Sequence, residues 1–186
     1  MNIALTAAVL FGALFSLGCI TQPVQQEYTF EDGLAALQDI EDKYALGSIT
    51  TTVEDLGSGR AEIVALQASL ESYTQTRDIA ALNSLIDFRL AYLDVQQDSK
   101  VGYEIVYETE ATCANAATIR SGISLMANAV AGIDVAAEKF RTFRDSYPEY
   151  LSRTTISSSF DSDILQTQEN LGVAIDEAEA QLQGCE

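Results

Sequence analysis

Apolar residues recur at steps of three and four through most of the chain, the period of a helix buried along one face. Phe30, Leu34, Leu37, Ile40 and Tyr44 form the first such face and predict a helix over about 30–46. Thr29 stands before it as a cap, Glu31 and Asp32 fall in its first turn, and Gly47 follows as a stop. A second helix is predicted over about 52–74, with Ile63, Leu66, Leu70 and Tyr73 as its stripe and Thr51 with Glu54 as a capping box. Gly57-Ser58-Gly59 is expected to weaken or break its first turns. A tight connection at 74–77 leads to a third helix that turns Ile79, Leu82, Leu85, Ile86 and Leu93 inward. So short a link makes the second and third helices antiparallel neighbours.

Residues 98–110 are ambiguous. Val101, Tyr103, Ile105 and Tyr107 alternate with Gly102, Glu104, Val106 and Glu108, which is a strand pattern, but a lone strand has no partner for its backbone. The segment is therefore expected to be helix or loop. Beyond it Ala116, Ile119, Ile123, Met126, Val130, Ile133, Ala137, Phe140, Arg144 and Tyr147 step by three and four alternately, one heptad seam broken only by Arg144. Ile164, Gln168, Leu171, Ile175, Ala178, Leu182 and Cys185 repeat the stepping. Pro148 and the polar run 152–159 separate the two, so they should fold back as a long antiparallel hairpin.

The predicted class is all-α: an antiparallel bundle of about five helices. The hairpin of the second and third helices resembles those of tetratricopeptide-type proteins, although the repeat signature is missing. One domain is expected over 29–186.

The N-terminus has another character. Residues 3–17 are a nearly unbroken apolar run, shorter than the ~20 residues that span a bilayer. Gly18-Cys19 follows, then the polar stretch from Thr21 to Glu27. This order of apolar core, small residues and polar linker predicts a signal peptide over 1–18. The junction resembles the prokaryotic lipoprotein signal, in which the Cys after a small residue is lipidated and becomes the mature N-terminus. The resemblance covers about 20 residues and implies a lipid on Cys19, a tether over 19–28 and attachment to the outer face of a membrane. Ser16 stands where that signal usually has an aliphatic residue, and no Lys or Arg precedes the apolar run. Ser16 and Gly18 also fit ordinary secretion, and an uncleaved anchor is the third alternative.

Twenty-eight acids against ten bases give a formal charge of −18, none of it carried by residues 1–18. Such a surface repels phosphate backbones, so no nucleic-acid partner is expected. It would suit concentrated salt, where self-repulsion is screened.

With Cys19 assigned to the signal, Cys113 and Cys185 remain as a pair. Residues that meet in a symmetric hairpin are equidistant from its turn, and the midpoint between these two falls beside Pro148. An exported protein lives where disulfides persist, which predicts a Cys113–Cys185 bond.

The chain has no histidine, which excludes serine–histidine and cysteine–histidine catalysis and histidine-dependent metal sites. No phosphate-cradling glycine loop occurs. Glu104, Glu108 and Glu110 cluster, as do Asp161 and Asp163, but neither group matches a calcium loop, and in so acidic a chain solvated faces explain them. No cofactor, metal or catalytic residue is expected.

One local anomaly remains. Arg141, Arg144, Tyr147, Tyr150 and Arg153 gather three of the ten basic residues among aromatic rings at the expected hairpin tip. They are candidates for contact with an acidic protein or carbohydrate partner, or else for closing the end of the core. The sequence thus points to a non-catalytic, lipid-anchored interaction module, with a binding protein for a small apolar or cationic ligand as the alternative.

Overall fold

The computed structural model describes residues 27–48, 50–156 and 160–185. The signal segment and Cys19 lie outside them. The described chain is an all-α bundle: α1 (Phe30–Lys43), α2 (Val53–Leu70), α3 (Arg77–Glu108), a 3-10 turn at Cys113–Asn115, α4 (Ala116–Ser146), the single turn α5 (Pro148–Leu151) and α6 (Phe160–Gln181).

Capping residues set the starts of the first three helices. The Thr29 hydroxyl accepts from the Asp32 amide and the Asp32 carboxylate answers at the Thr29 amide. For α2 the box is one residue later than the sequence suggested, using Thr52 and Asp55 instead of Thr51 and Glu54. Thr51 is buried and its hydroxyl instead donates to the Ala45 and Ser48 carbonyls, which fixes the α1–α2 turn. That turn carries the left-handed residues Ala45 and Gly47. The glycines of α2 do not break it. Gly59 is where Leu46 lies on the helix backbone, and a Cβ there would come within 2.8 Å of the Leu46 side chain. The helix does stop at Leu70, four residues short of the expected end.

Residues 98–108, which carry the strand-like alternation, are the last turns of the 32-residue helix α3. Burial there follows Gly102 and Val106, four apart, while Tyr107 is 56% exposed. Helical period wins because this stretch lies against α4 throughout.

The α3–α4 interface is by far the most extensive in the molecule. Glycines make its closest point: a Cβ on Gly122 would sit 2.9 Å from Ile105 and Val106 and 3.0 Å from the Gly102 carbonyl oxygen. Only bare backbone fits. On α4 the heptad seam is accordingly double. Gly122, Ala129, Ala136 and Phe143 are buried as well as Ile119, Ile123, Met126, Ile133, Ala137 and Phe140. One flank meets α3, and α6 is the long helix packed beside the other.

Cross-links give the directions. Phe30 meets Asp78 and Glu41 meets Arg89, so α1 and α3 run parallel. Gln67 meets Asp87 and Arg60 meets Asp94, seven residues back on one helix and seven forward on the other, so α2 is antiparallel to α3. Phe160 packs on Phe140 while Cys185 joins Cys113, so α6 returns antiparallel to α4, as the matched seams predicted.

Two cores result. One, around Phe30, Leu37, Ile63, Phe88 and Phe143, fills the end formed by α1, α2, α5 and the adjoining halves of α3 and α4. The other, around Ile119, Met126, Ile133, Leu171 and Leu182, fills the opposite end under α6. Phe160 touches Phe88, Tyr92 and Phe140 and stitches the two together.

Candidate functional site

At the far end of the second core, Cys113 and Cys185 form a disulfide across 72 residues, with their Cα atoms 4.9 Å apart. The Arg120 guanidinium donates to the Cys185 carbonyl at 2.9 Å, so the end of the chain is held by a second contact. Cys113 is exposed and Cys185 half-buried, and with both sulfurs bonded neither is a nucleophile.

The tip cluster makes its contacts inside the chain. The Tyr150 ring is buried against Phe30, and its hydroxyl donates to Asp78. Asp78 also accepts the Phe30 amide at 3.0 Å, so one carboxylate ties the starts of α1 and α3 to α5. These bonds, the tyrosine hydroxyl first, hold the Asp78 carboxyl below its ordinary range and raise the Tyr150 phenol above its own. Arg153 pairs with Glu31 and lies over the Tyr150 ring. Tyr147 is half-buried beneath Arg77, which binds Glu149 at 2.7 Å and the Ser146 carbonyl at 3.1 Å. Arg144 pairs with Asp145 beside it in sequence and leans on Phe140. Arg141 is exposed on the last turns of α4. Tyr147, Tyr150 and Arg153 thus have contacts within the bundle, and Arg141 and Arg153 are both exposed.

The acidic candidates do not converge. Glu104 lies 3.7 Å from Lys100 one turn back on α3, and Glu108 and Glu110 are exposed. Among the described residues no group of three or more histidines, cysteines or acids is placed to hold a metal ion. No described helix is long and apolar enough to cross a membrane.

A feature that the sequence did not single out lies midway along α3. An open groove of about 470 Å³ runs beside Tyr92, Val95, Lys100, Tyr103 and Glu104. The α1–α2 turn and Leu56 close one side, and Thr167 of α6 stands on the other. It sits where the two cores adjoin, Leu56 belonging to one and Val95 to the other. At its inner end a smaller hollow shares Tyr92 and is lined by Glu41 and Arg89. The Arg89 Nε lies 2.9 Å from Glu41 without a hydrogen bond of its own, and Nη2 donates to the other Glu41 oxygen at 3.4 Å. Burial raises the Glu41 carboxyl above its usual range, with Arg89 drawing it partly back. Both tyrosines of the groove are raised too, burial being the main cause. Tyr107 and then Glu177 add to it at Tyr103, while at Tyr92 Arg89 draws it partly back and Asp163 adds less.

Helical period could not have revealed this groove, because its residues come from α2, α3 and α6 and include ordinary amphipathic positions. The spacing of Tyr92, Tyr103 and Tyr107 along one helix was the available signal. No family model, curated protein or solved structure matches the chain.

Proposed function

We propose that the protein is an exported, non-catalytic helical module, held by a lipid on Cys19 to the outer face of a prokaryotic membrane, which acts by binding a partner. The disulfide carries the reading. A bond between Cys113 and Cys185 belongs in an oxidising compartment, and the chain's third cysteine stands at the end of an apolar run of signal-peptide length. A diacylated cysteine would hold firmly where a single chain would not. The helical domain opens at Thr29, directly after the tether, so it would stand close to the bilayer. Its charge of −18 keeps it from lying on anionic headgroups and points it toward partners in the envelope space.

The test is to express the full chain in a host that processes lipoproteins and to sequence the N-terminal peptide by mass spectrometry. The expected peptide begins at Cys19 and carries the mass of a diacylglyceryl group. Cys19→Ser should move the protein out of the membrane fraction while Cys113 and Cys185 stay oxidised. A mature N-terminus elsewhere, or a Cys19→Ser variant that stays in the membrane, overturns the anchor. Two reduced thiols in material isolated under non-reducing conditions overturn export.

A further inference from the structure

We propose that the groove along the middle of α3 binds a small organic cation with an apolar body, an alkyl- or arylammonium. This rests on the reading of the protein as a binding module but not on the lipid anchor. Its size comes first. About 470 Å³ lies within the range of small-molecule sites. The floor is apolar: Val95 and Leu56 are 2% and 3% exposed and present no polar atom. Tyr92 and Tyr103, eleven residues apart on α3, mark its two ends about 16 Å from one another.

Charge then selects the ligand. Glu104 lines the groove, and from outside its lining Glu177 raises the Tyr103 phenol, while at Tyr92 Arg89 outweighs the rise that Asp163 adds. Against these stand Lys100, already facing Glu104, and Arg89, already facing Glu41. The local balance is negative, as is the net charge of the chain. An anion would meet repulsion from Glu104 and Glu177 at the Tyr103 end, and a purely neutral body would gain only the floor. An ammonium at the Tyr103 end gains the ring face and the Glu104 carboxylate together, while its apolar part covers Val95 and Leu56. Tyr103 is held for this contact by stacking on Tyr107, with ring centroids 5.5 Å apart. Tyr92 is held by edge contact with Phe160.

The test titrates the full chain, purified in a nonionic detergent from whichever fraction contains it, with benzyltrimethylammonium, followed by calorimetry. Benzyl alcohol keeps the ring and drops the charge. Saturable one-to-one binding of the cation is expected, at least tenfold tighter than benzyl alcohol. Glu104→Gln should weaken it about fivefold, as expected for loss of one half-exposed charge near the ligand. Tyr103→Leu should weaken it about threefold to fivefold, the measure of an exposed cation–ring contact. Lys100→Gln should tighten it by about threefold, since it removes the opposing charge. Glu71→Gln, an equal change of net charge at the exposed end of α2, should leave it unchanged. All four positions are at least partly exposed, and circular dichroism with a thiol assay checks that each variant keeps its helices and disulfide.

Non-saturating uptake that responds to Glu71→Gln as much as to Glu104→Gln overturns the site in favour of diffuse attraction to an acidic surface. Equal affinity for benzyl alcohol overturns the cation. Neither result bears on acylation of Cys19, so this proposal and the anchor fail separately.

Discussion

Replacing both Cys113 and Cys185 by Ala should destabilise the domain by about 4 kcal/mol. The figure comes from the loop that the bond closes. For a separation of 72 residues the chain-entropy model gives about 15 cal/mol/K of unfolded-state entropy removed, or ~4.4 kcal/mol at 25 °C. Little else is lost with the sulfurs, because Cys113 is exposed and Cys185 only half-buried, so no sizeable cavity is left. For a domain of this length the change lowers the melting temperature by roughly 10–15 °C. The loss should also be uneven. α6 packs mainly on α4, through a seam in which Ala174 and Ala178 contribute little area, and its other fixed point is Phe160 in the aromatic cluster. Removing the bond therefore releases the C-terminal half of α6 first, while the α3–α4 pair, locked at Gly102 and Gly122, holds. The assay is thermal melting by circular dichroism at 222 nm, paired with hydrogen exchange on the oxidised protein and the double variant. Faster exchange over 171–181, with α3 and α4 still protected, is the expected pattern. A double variant that melts within about 2 °C of its parent would refute the loop-entropy reasoning, and uniform loss of protection would refute the weak-α6 argument.

Three glycines predict opposite signs. Gly122→Ala forces α3 and α4 apart against Ile105, Val106 and the Gly102 carbonyl and should cost about 1–3 kcal/mol even after the helix-propensity gain, whereas Gly57→Ala and Gly172→Ala meet nothing within 4 Å and should each stabilise by ~0.5–1 kcal/mol; urea titration at fixed pH reads all three, and a stable Gly122→Ala would mean that the helices are not in contact there. The Asp78 carboxyl is held low by Tyr150 and the Phe30 amide, so its contribution is complete above the unfolded-state value and is lost as the pH falls through the folded one. Melting temperature should accordingly fall on acidification below about pH 4, and Asp78→Asn should flatten that fall while lowering stability at neutral pH. An unchanged acid limb in the variant would remove Asp78 from the account.

Periodicity was enough to place every long helix, because each buries a stripe and stripes have a measurable step. It also placed the disulfide, since matched seams with a turn at Pro148 leave only one register in which Cys113 and Cys185 lie level. It was undecided where two signals overlap. Around Val101–Tyr107 a helix with bulky residues on several faces imitates a strand, and only the α4 backbone lying against Gly102 decides the matter. At the α1–α2 turn two adjacent threonines are equally good caps on paper. The one that buries its methyl and satisfies two carbonyls is taken out of competition by the turn, which sequence spacing does not describe. The tip shows the harder limit. An arginine among aromatics looks the same whether it awaits a partner or, like Arg153, binds Glu31 across the bundle, because that acid is 122 residues away in the chain.

The two ends of the molecule are locked by different chemistry. At the tip, Asp78 gathers the starts of α1, α3 and α5, and ion pairs from Arg77 and Arg153 surround it. At the base a covalent bond ties α6 to the start of α4. Between them the α1–α2 pair belongs to one core and packs on α3, while most of α6 belongs to the other and packs on α4, with Leu56 and Thr167 on opposite sides of the groove. The groove therefore lies where the two cores adjoin, and α3, packed on α4, supplies its floor at Val95.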